Sequence, residues 1–210
     1  MTLSMNEVEA TAKRAARGAG YSWGLAEEAG KATRWLCERD VDGCAALAVL
    51  LQAFDCAREA DWSPLAEGSH WQAPGGNLCP LLAGAALSDH ARDLQVGALV
   101  FGATLAPVLL LPFAASCAAQ SQGIVSVGLP NARAVTDGDA LAIDGVFPER
   151  AENMEIHMGG EIAAPAARRS RAAPGSDMLQ ILDRFARRTF APATEQSRLS
   201  GAGAGLSDND

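Results

Sequence analysis

Two stretches of this chain set residues that could bind an anion and move a proton at close spacing. The first runs Arg14-Ala-Ala-Arg17-Gly-Ala-Gly-Tyr-Ser-Trp23-Gly-Leu-Ala-Glu27-Glu28. If one helix closes at Arg17 and the next opens at Trp23, the Gly18–Ser22 turn can bring both ends to one pocket. Arg14 and Arg17 would then hold an anion, Trp23 would form a wall, and Glu27 or Glu28 would serve as the base. A plainer account fits the same residues, because the helix dipole favours arginine in a last turn and glutamate in a first turn.

The second stretch is Arg198-Leu-Ser-Gly-Ala-Gly-Ala-Gly-Leu-Ser-Asp-Asn-Asp210. Gly201, Gly203 and Gly205 do not make a dinucleotide loop, since Leu206 stands where the third glycine of G-x-G-x-x-G would fall. Nor is there room for a helix to start behind them and offer its N-terminus to a pyrophosphate. Two readings stay open. Glycine admits positive φ, so successive amides can converge on a carboxylate or phosphate, with Arg198 as a clamp and Asp208 beside it. The other reading is a flexible Gly/Ala/Ser tail.

Other chemistry is sparse. His90 lies between Asp89 and Asp93 and could be an acid/base histidine or simply an exposed helix start; His157 faces outward beside Glu155 with no third ligand indicated. The chain has three histidines and five scattered cysteines, without a C-x-x-C pair, so no metal site and no cofactor is expected. Cys37, Cys44 and Cys56 read as buried, inert thiols among apolar neighbours. A net charge of −8 has the wrong sign for nucleic acid or an anionic membrane. The opening residues lack the basic and apolar regions of a signal peptide, which makes the cytoplasm the expected compartment.

The elements that would position these groups follow from pattern. Ser4 and Glu7 form a capping box for a helix to about Arg17; Ser22 caps a second over Trp23–Glu38; Asp42 starts a third. Trp62–Asn77, rich in proline and glycine, reads as a loop. Ser88-Asp89-His90 reads as the opening of a brief helix. Leu94–Ala132 carries no charge, but Pro107 and Pro112 interrupt it, so it is expected to be core rather than a membrane span. It divides into a strand (Gln95–Phe101) and a buried helix (Leu105–Gln120) that Pro112 would kink. Strands are expected at Ile124–Leu129, Ala132–Thr136, Ala140–Asp144 and Asn153–Met158, with a hairpin at Asp137-Gly138-Asp139. Ala163–Pro174 reads as a linker, and Ser176 as the cap of a C-terminal helix striped by Met178, Ile181, Leu182 and Phe185.

Together these describe one α+β domain over residues 1–210: an N-terminal helical layer on a small, largely antiparallel sheet, with a C-terminal helix and an ordered glycine-rich end. The opening Ser4–Gly30, the Leu109–Phe113 core and the Pro192–Asp210 end resemble an uncharacterised proteobacterial family of roughly this length. The resemblance implies no activity. It does imply that the Gly-Ala-Gly-Ala-Gly end belongs to the family pattern, which favours the ordered reading. The functional expectation is a small-molecule enzyme, or an enzyme subunit, acting on an anionic metabolite. The alternative is a non-catalytic subunit, as a homo-oligomer or a partner in a complex, motivated by the uncharged segment and the lack of a standard catalytic motif.

Overall fold

The computed structural model describes residues 2–190. The fold starts with β1 (Leu3–Ser4), which leads into α1 (Met5–Gly18) through the expected capping box: the Glu7 amide donates to Ser4 Oγ, and the Ser4 amide donates to the Glu7 carboxylate. Ser22 and Asp42 cap α2 (Trp23–Cys37) and α3 (Gly43–Phe54) as their side chains predict. α1 and α2 expose their charged faces, and the three helices together bury alanine, leucine and Tyr21, which stacks on Phe54 at 4.3 Å. Cys56 departs from expectation: it sits just beyond α3 at positive φ and is exposed.

The stretch expected to be a loop is more ordered than its composition suggests. After the short α4 (Glu59–Trp62) it forms a hairpin of β2 (Leu65–Glu67) and β3 (His70–Gln72). Proline and glycine fall at the hairpin ends and turn, while Trp71 buries against Phe101 with ring centroids 5.1 Å apart. Burial of one large aromatic outweighs the turn-rich surroundings. Ser88-Asp89-His90 closes a helix instead of opening one: α5 runs Pro80–Asp89 and is capped at His90. Its start was hidden because Cys79 offers no capping hydrogen bond and Pro80 is tolerated in a first turn.

The uncharged segment folds as β4 (Leu99–Phe101), β5 (Thr104–Leu105), a 3-10 turn over Pro107–Leu110, and α6 (Leu111–Ser121). Pro112 does not kink a long helix; it lies in the first turn of α6, where its missing N–H costs nothing. Gly84 of α5 is a true close approach, since a Cβ there would fall 2.2 Å from the Phe113 ring. Among the described residues no helix is long and apolar enough to cross a membrane.

β6 (Val125–Leu129), β7 (Ala132–Thr136), β8 (Leu141–Gly145) and β10 (Met154–Met158) follow the expected pattern, with β9 (Arg150–Ala151) pairing β5. The main sheet has seven strands in the order β2-β3-β4-β10-β6-β7-β8, antiparallel except between β3 and β4. Its inner face (Phe101, Ile156, Val127, Ala134 and their neighbours) is buried, with α6 against β6 and β7. The N-terminal helices therefore reach the sheet through α5 and α6, which pack on α2. The segment read as a linker contains β11 (Arg171–Ala172), paired with β1, and α7 (Ser176–Arg187) returns onto α1 and α3. Ser176 makes no capping bond to the helix; Gly175 occupies the cap.

Arg39, only 3% exposed, joins the layers. Its Nε and Nη2 donate to the Asp139 carbonyl at 2.9 and 2.7 Å, Nη1 donates to the Trp35 carbonyl at 2.9 Å, and the guanidinium lies 3.7 Å over the Trp35 ring. Burial, and then the nearby Arg168, push its pKa down to about 10, which leaves it charged at neutral pH. Arg39→Ala removes three charge-assisted bonds at once and should destabilise the fold by about 3 kcal/mol, with Arg39→Lys intermediate, as read from urea midpoints.

At the other end of the helical layer Arg188 grips Asp55 with bonds of 2.6 and 2.9 Å, tying the end of α7 to α3. The Arg188 hydrogen bond holds the Asp55 carboxyl below the ordinary aspartate value. A depressed folded pKa gives stability that is complete above the unfolded value and lost as pH falls through the folded one. Melting temperature should therefore drop between about pH 5 and pH 3, and Asp55→Asn should melt lower at pH 7 with a shallower acid slope.

Candidate functional site

The outer face of the sheet carries a polar row that strand register assembles. Antiparallel and parallel pairing aligns His70, Val100, Glu155, Gly128, Arg133 and Asp144 across β3, β4, β10, β6, β7 and β8. A second row, His157–Ser126–Val135–Ala142, lies one pleat away on the same face. Gly128 is the one member of the first row without a side chain. A Cβ built there would find nothing closer than the Glu155 carbonyl at 3.9 Å. The space is a hollow of about 380 Å³ whose rim includes Arg133, Glu155, His157, Val100, Pro130 and Asn153.

Local structure fixes the rim. Arg133 Nη2 donates to Ser126 Oγ at 3.0 Å, and Ser126 in turn donates to the Gly159 carbonyl at 2.6 Å. The Gly159-Gly160 segment crosses the outer face there at positive φ, and a Cβ on Gly160 would meet Ser126 Oγ at 2.4 Å. Glycine is thus required for the crossing that buries Ser126 and orients Arg133. Among the described residues Arg133 makes no ion pair with a carboxylate, which leaves its charge available at the hollow. His157 Nδ1 is shielded from solvent and has no hydrogen-bond partner; the nearest carboxylate oxygen, Glu155 Oε1, is 3.7 Å away, beyond bonding distance. A buried imidazole nitrogen without a partner is costly in a folded protein and points to a ligand or water that completes it.

This face was visible in part from sequence. The Met154–Met158 alternation placed Glu155 and His157 outward together, as observed. What the pattern could not give was Arg133 and Gly128, because their nearness depends on register between strands far apart in sequence.

The sequence-derived constellation forms a different arrangement. Arg17 donates to the Tyr21 carbonyl and lies 4.4 Å over the ring of Trp23, which is 68% exposed. One turn along the same helix pair, Lys13 binds Glu27 at 2.6 Å. That hydrogen bond holds the Glu27 carboxyl below the usual carboxylate range, which weakens it as a base. Glu28 is paired with Lys31 at 2.7 Å and lines a small cavity of about 130 Å³ with Trp35 and Pro112. Arg14 is exposed and donates to the Ala10 carbonyl. Arg17, Trp23 and Glu27 therefore share one face across α1 and α2, while Glu28 serves another neighbourhood. Arg198, Gly201, Gly203, Gly205 and Asp208 lie outside the described residues. His90 bonds Asp93 at 3.0 Å and meets the Trp71 ring edge-on. Among the described residues no group of three or more metal-ligating side chains occurs.

No curated protein sequence matches the chain. Among solved structures it is similar to malate dehydrogenase from Entamoeba histolytica, at 14% identity over 70% of this chain and 47% of that one, with a TM-score of 0.46. It is also similar to malate dehydrogenase from Pyrococcus horikoshii OT3, at 11% identity over 71% of this chain and 49% of that one, with a TM-score of 0.44. The chain spans about half the length of each. Residues 3–79, which hold α1 to α4 and the β2–β3 hairpin, match the family described as "Protein of unknown function (DUF3726)", as the opening motif implied.

Proposed function

We propose that the protein binds a small anionic metabolite in the hollow over Gly128 and transfers a proton to or from it. The observation that carries this reading is the unpartnered, shielded His157 Nδ1 at the rim of a cavity that also holds the uncommitted charge of Arg133. Arg133 pairs with a carboxylate or phosphate oxygen, Glu155 accepts from a hydroxyl of the same molecule, and His157 moves the proton. The α1–α2 face with Arg17 and Trp23 then becomes a second, separate surface.

Calorimetric titration with a panel of hydroxycarboxylates and phosphate esters tests binding. At least one should bind saturably, Arg133→Ala should weaken it about 10- to 100-fold, and Gly128→Val should abolish it by filling the hollow. With that ligand in D2O, wild-type protein should exchange a carbon-bound proton for deuterium, and His157→Gln should bind but not exchange. If no member of the panel binds, or if the Arg133 and Gly128 variants bind as wild type does, the assignment is wrong.

A second reading, of a subunit in an assembly, rests on the exposed Arg17–Trp23 stack, since tryptophan and arginine dominate the energetics of protein interfaces. Light scattering on wild type and Trp23→Ala decides it: an oligomer that dissociates on substitution supports the assembly, and a monomer in both rejects self-assembly through this face.

A further inference from the structure

β8 closes one side of the main sheet, and part of its free edge has no partner. The Gly159 amide donates to the Ile124 carbonyl at 2.6 Å, so Ile124 turns its backbone groups toward β10. These groups reverse direction at each residue of a strand, so Val125 turns toward β7 and pairs with Thr136. Thr136 is thereby spent on β6, and its other neighbour, Leu141, points away from β7. The Ala166 amide, donating to the Leu141 carbonyl at 2.7 Å, occupies that side of β8 at its start. Two residues on, Ile143 points the same way. Among the described residues no backbone group meets its N–H or C=O there.

Beside this open edge lies an apolar cleft of about 380 Å³, with Ile143 and Phe147 on the sheet side and Val41, Val49 and Val108 on the helical side. Its charged lining residues are all carboxylates: Asp40, Asp42 and Glu149. Asp40 is neutralised by Arg169 at 2.8 Å, and one oxygen of Asp42 accepts the Ala45 amide at 2.9 Å. The second Asp42 oxygen and the Glu149 carboxylate have no cation among the described residues, and neither has Asp144 on the outer face of β8. The cleft wall is also strained. Ala106, at φ 43°, donates its amide to the Glu149 carbonyl at 2.6 Å, and Asp40 has φ 61°. These are two of the four non-glycine residues at positive φ among the described residues, and strain of this kind collects at ligand clamps.

We propose that this edge and cleft receive an extended peptide of alternating apolar and basic residues, added to the sheet as a strand beside β8. The peptide backbone pairs with the Ile143 N–H and C=O, and its apolar side chains enter the cleft between Phe147 and Val49. Its lysines or arginines turn to the outer face beside Asp144, and those at its ends meet Glu149 and Asp42. A second copy of the chain fits less well. Its β8 would bring the same carboxylates to both sides of the joint, in a protein of net charge −8.

The probe is a fluorescein-labelled octapeptide of alternating valine and lysine, titrated with the full chain at roughly 0.15 M salt and read by fluorescence anisotropy. Saturable binding is expected. A valine–glutamate peptide of the same length should bind about tenfold more weakly or worse. So should the valine–lysine peptide with every backbone amide N-methylated, which keeps its charge but loses the donors a strand needs. Asp144 is exposed and Val146, at the cleft rim, is 84% exposed, so lysine at either is compatible with folding, as circular dichroism checks. Asp144→Lys and Val146→Lys should each weaken binding about five- to tenfold. The proposal is overturned if the valine–lysine peptide does not saturate, if either control peptide binds as well, or if both variants bind as wild type does. It is equally overturned if light scattering finds the chain alone dimeric and Val146→Lys monomeric, which assigns the edge to a second copy.

Discussion

The guanidinium of Arg39 is the interaction on which the two halves of this protein depend. It is nearly inaccessible, yet its direct hydrogen bonds go to carbonyl oxygens, and carboxylates at Glu38 and Asp139 stand off at 3.7 and 3.8 Å. A buried cation survives only when its donors are satisfied, so the end of α2 and the Asp137–Asp139 hairpin must meet in one register. The hairpin is shaped to comply: the Asp137 carboxylate accepts from the amides of Asp139 and Ala140, freeing the Asp139 carbonyl to receive Arg39. Arg168 and Arg169 then strap the segment after β10 to Glu38, Asp139 and Asp40. Those arginines, read from composition as part of a linker, close a network around the same helix end.

That anchoring has consequences on both sides of the molecule. On the sheet side it fixes the β7–β8 hairpin, and hence the strand that carries Arg133. On the helical side it sets the turn that joins α2 to α3. The turn residues Asp40, Val41 and Asp42 line the cavity that reaches Cys37 and also an apolar cleft of about 380 Å³ bounded by Val49, Val108 and Phe147. One short turn is thus a shared wall between two spaces of different character.

Local signals were legible wherever the information was local. Caps at Ser4, Ser22 and Asp42, the alternation in Met154–Met158 and the Asp-Gly-Asp hairpin all depend on residues within a few positions of each other. The β2–β3 hairpin was not legible, because what orders it is Trp71 packing on Phe101, thirty residues away. Arg17 and Trp23 do meet, as their positions on successive helices suggested. Glu28 takes its own i,i+3 neighbour Lys31, a pairing that helix spacing does offer, whereas Glu27 goes to Lys13 on the preceding helix, which no short-range pattern identifies. The sheet-face hollow was hidden for the same reason: it is a property of register, and a glycine in a strand does not announce which side chains flank it.

Gly128 stands apart from the glycines at positive φ, for it occupies ordinary strand backbone and no neighbour crowds its missing Cβ. Chain geometry would accept valine there, and a central strand would gain roughly 0.5–1 kcal/mol in lost unfolded-state freedom and added packing. The sheet is therefore weaker at its middle than its geometry demands. What it holds in exchange is vacancy: a volume defined by an omitted side chain, whose dimensions a single substitution can reset without disturbing any hydrogen bond of the ladder.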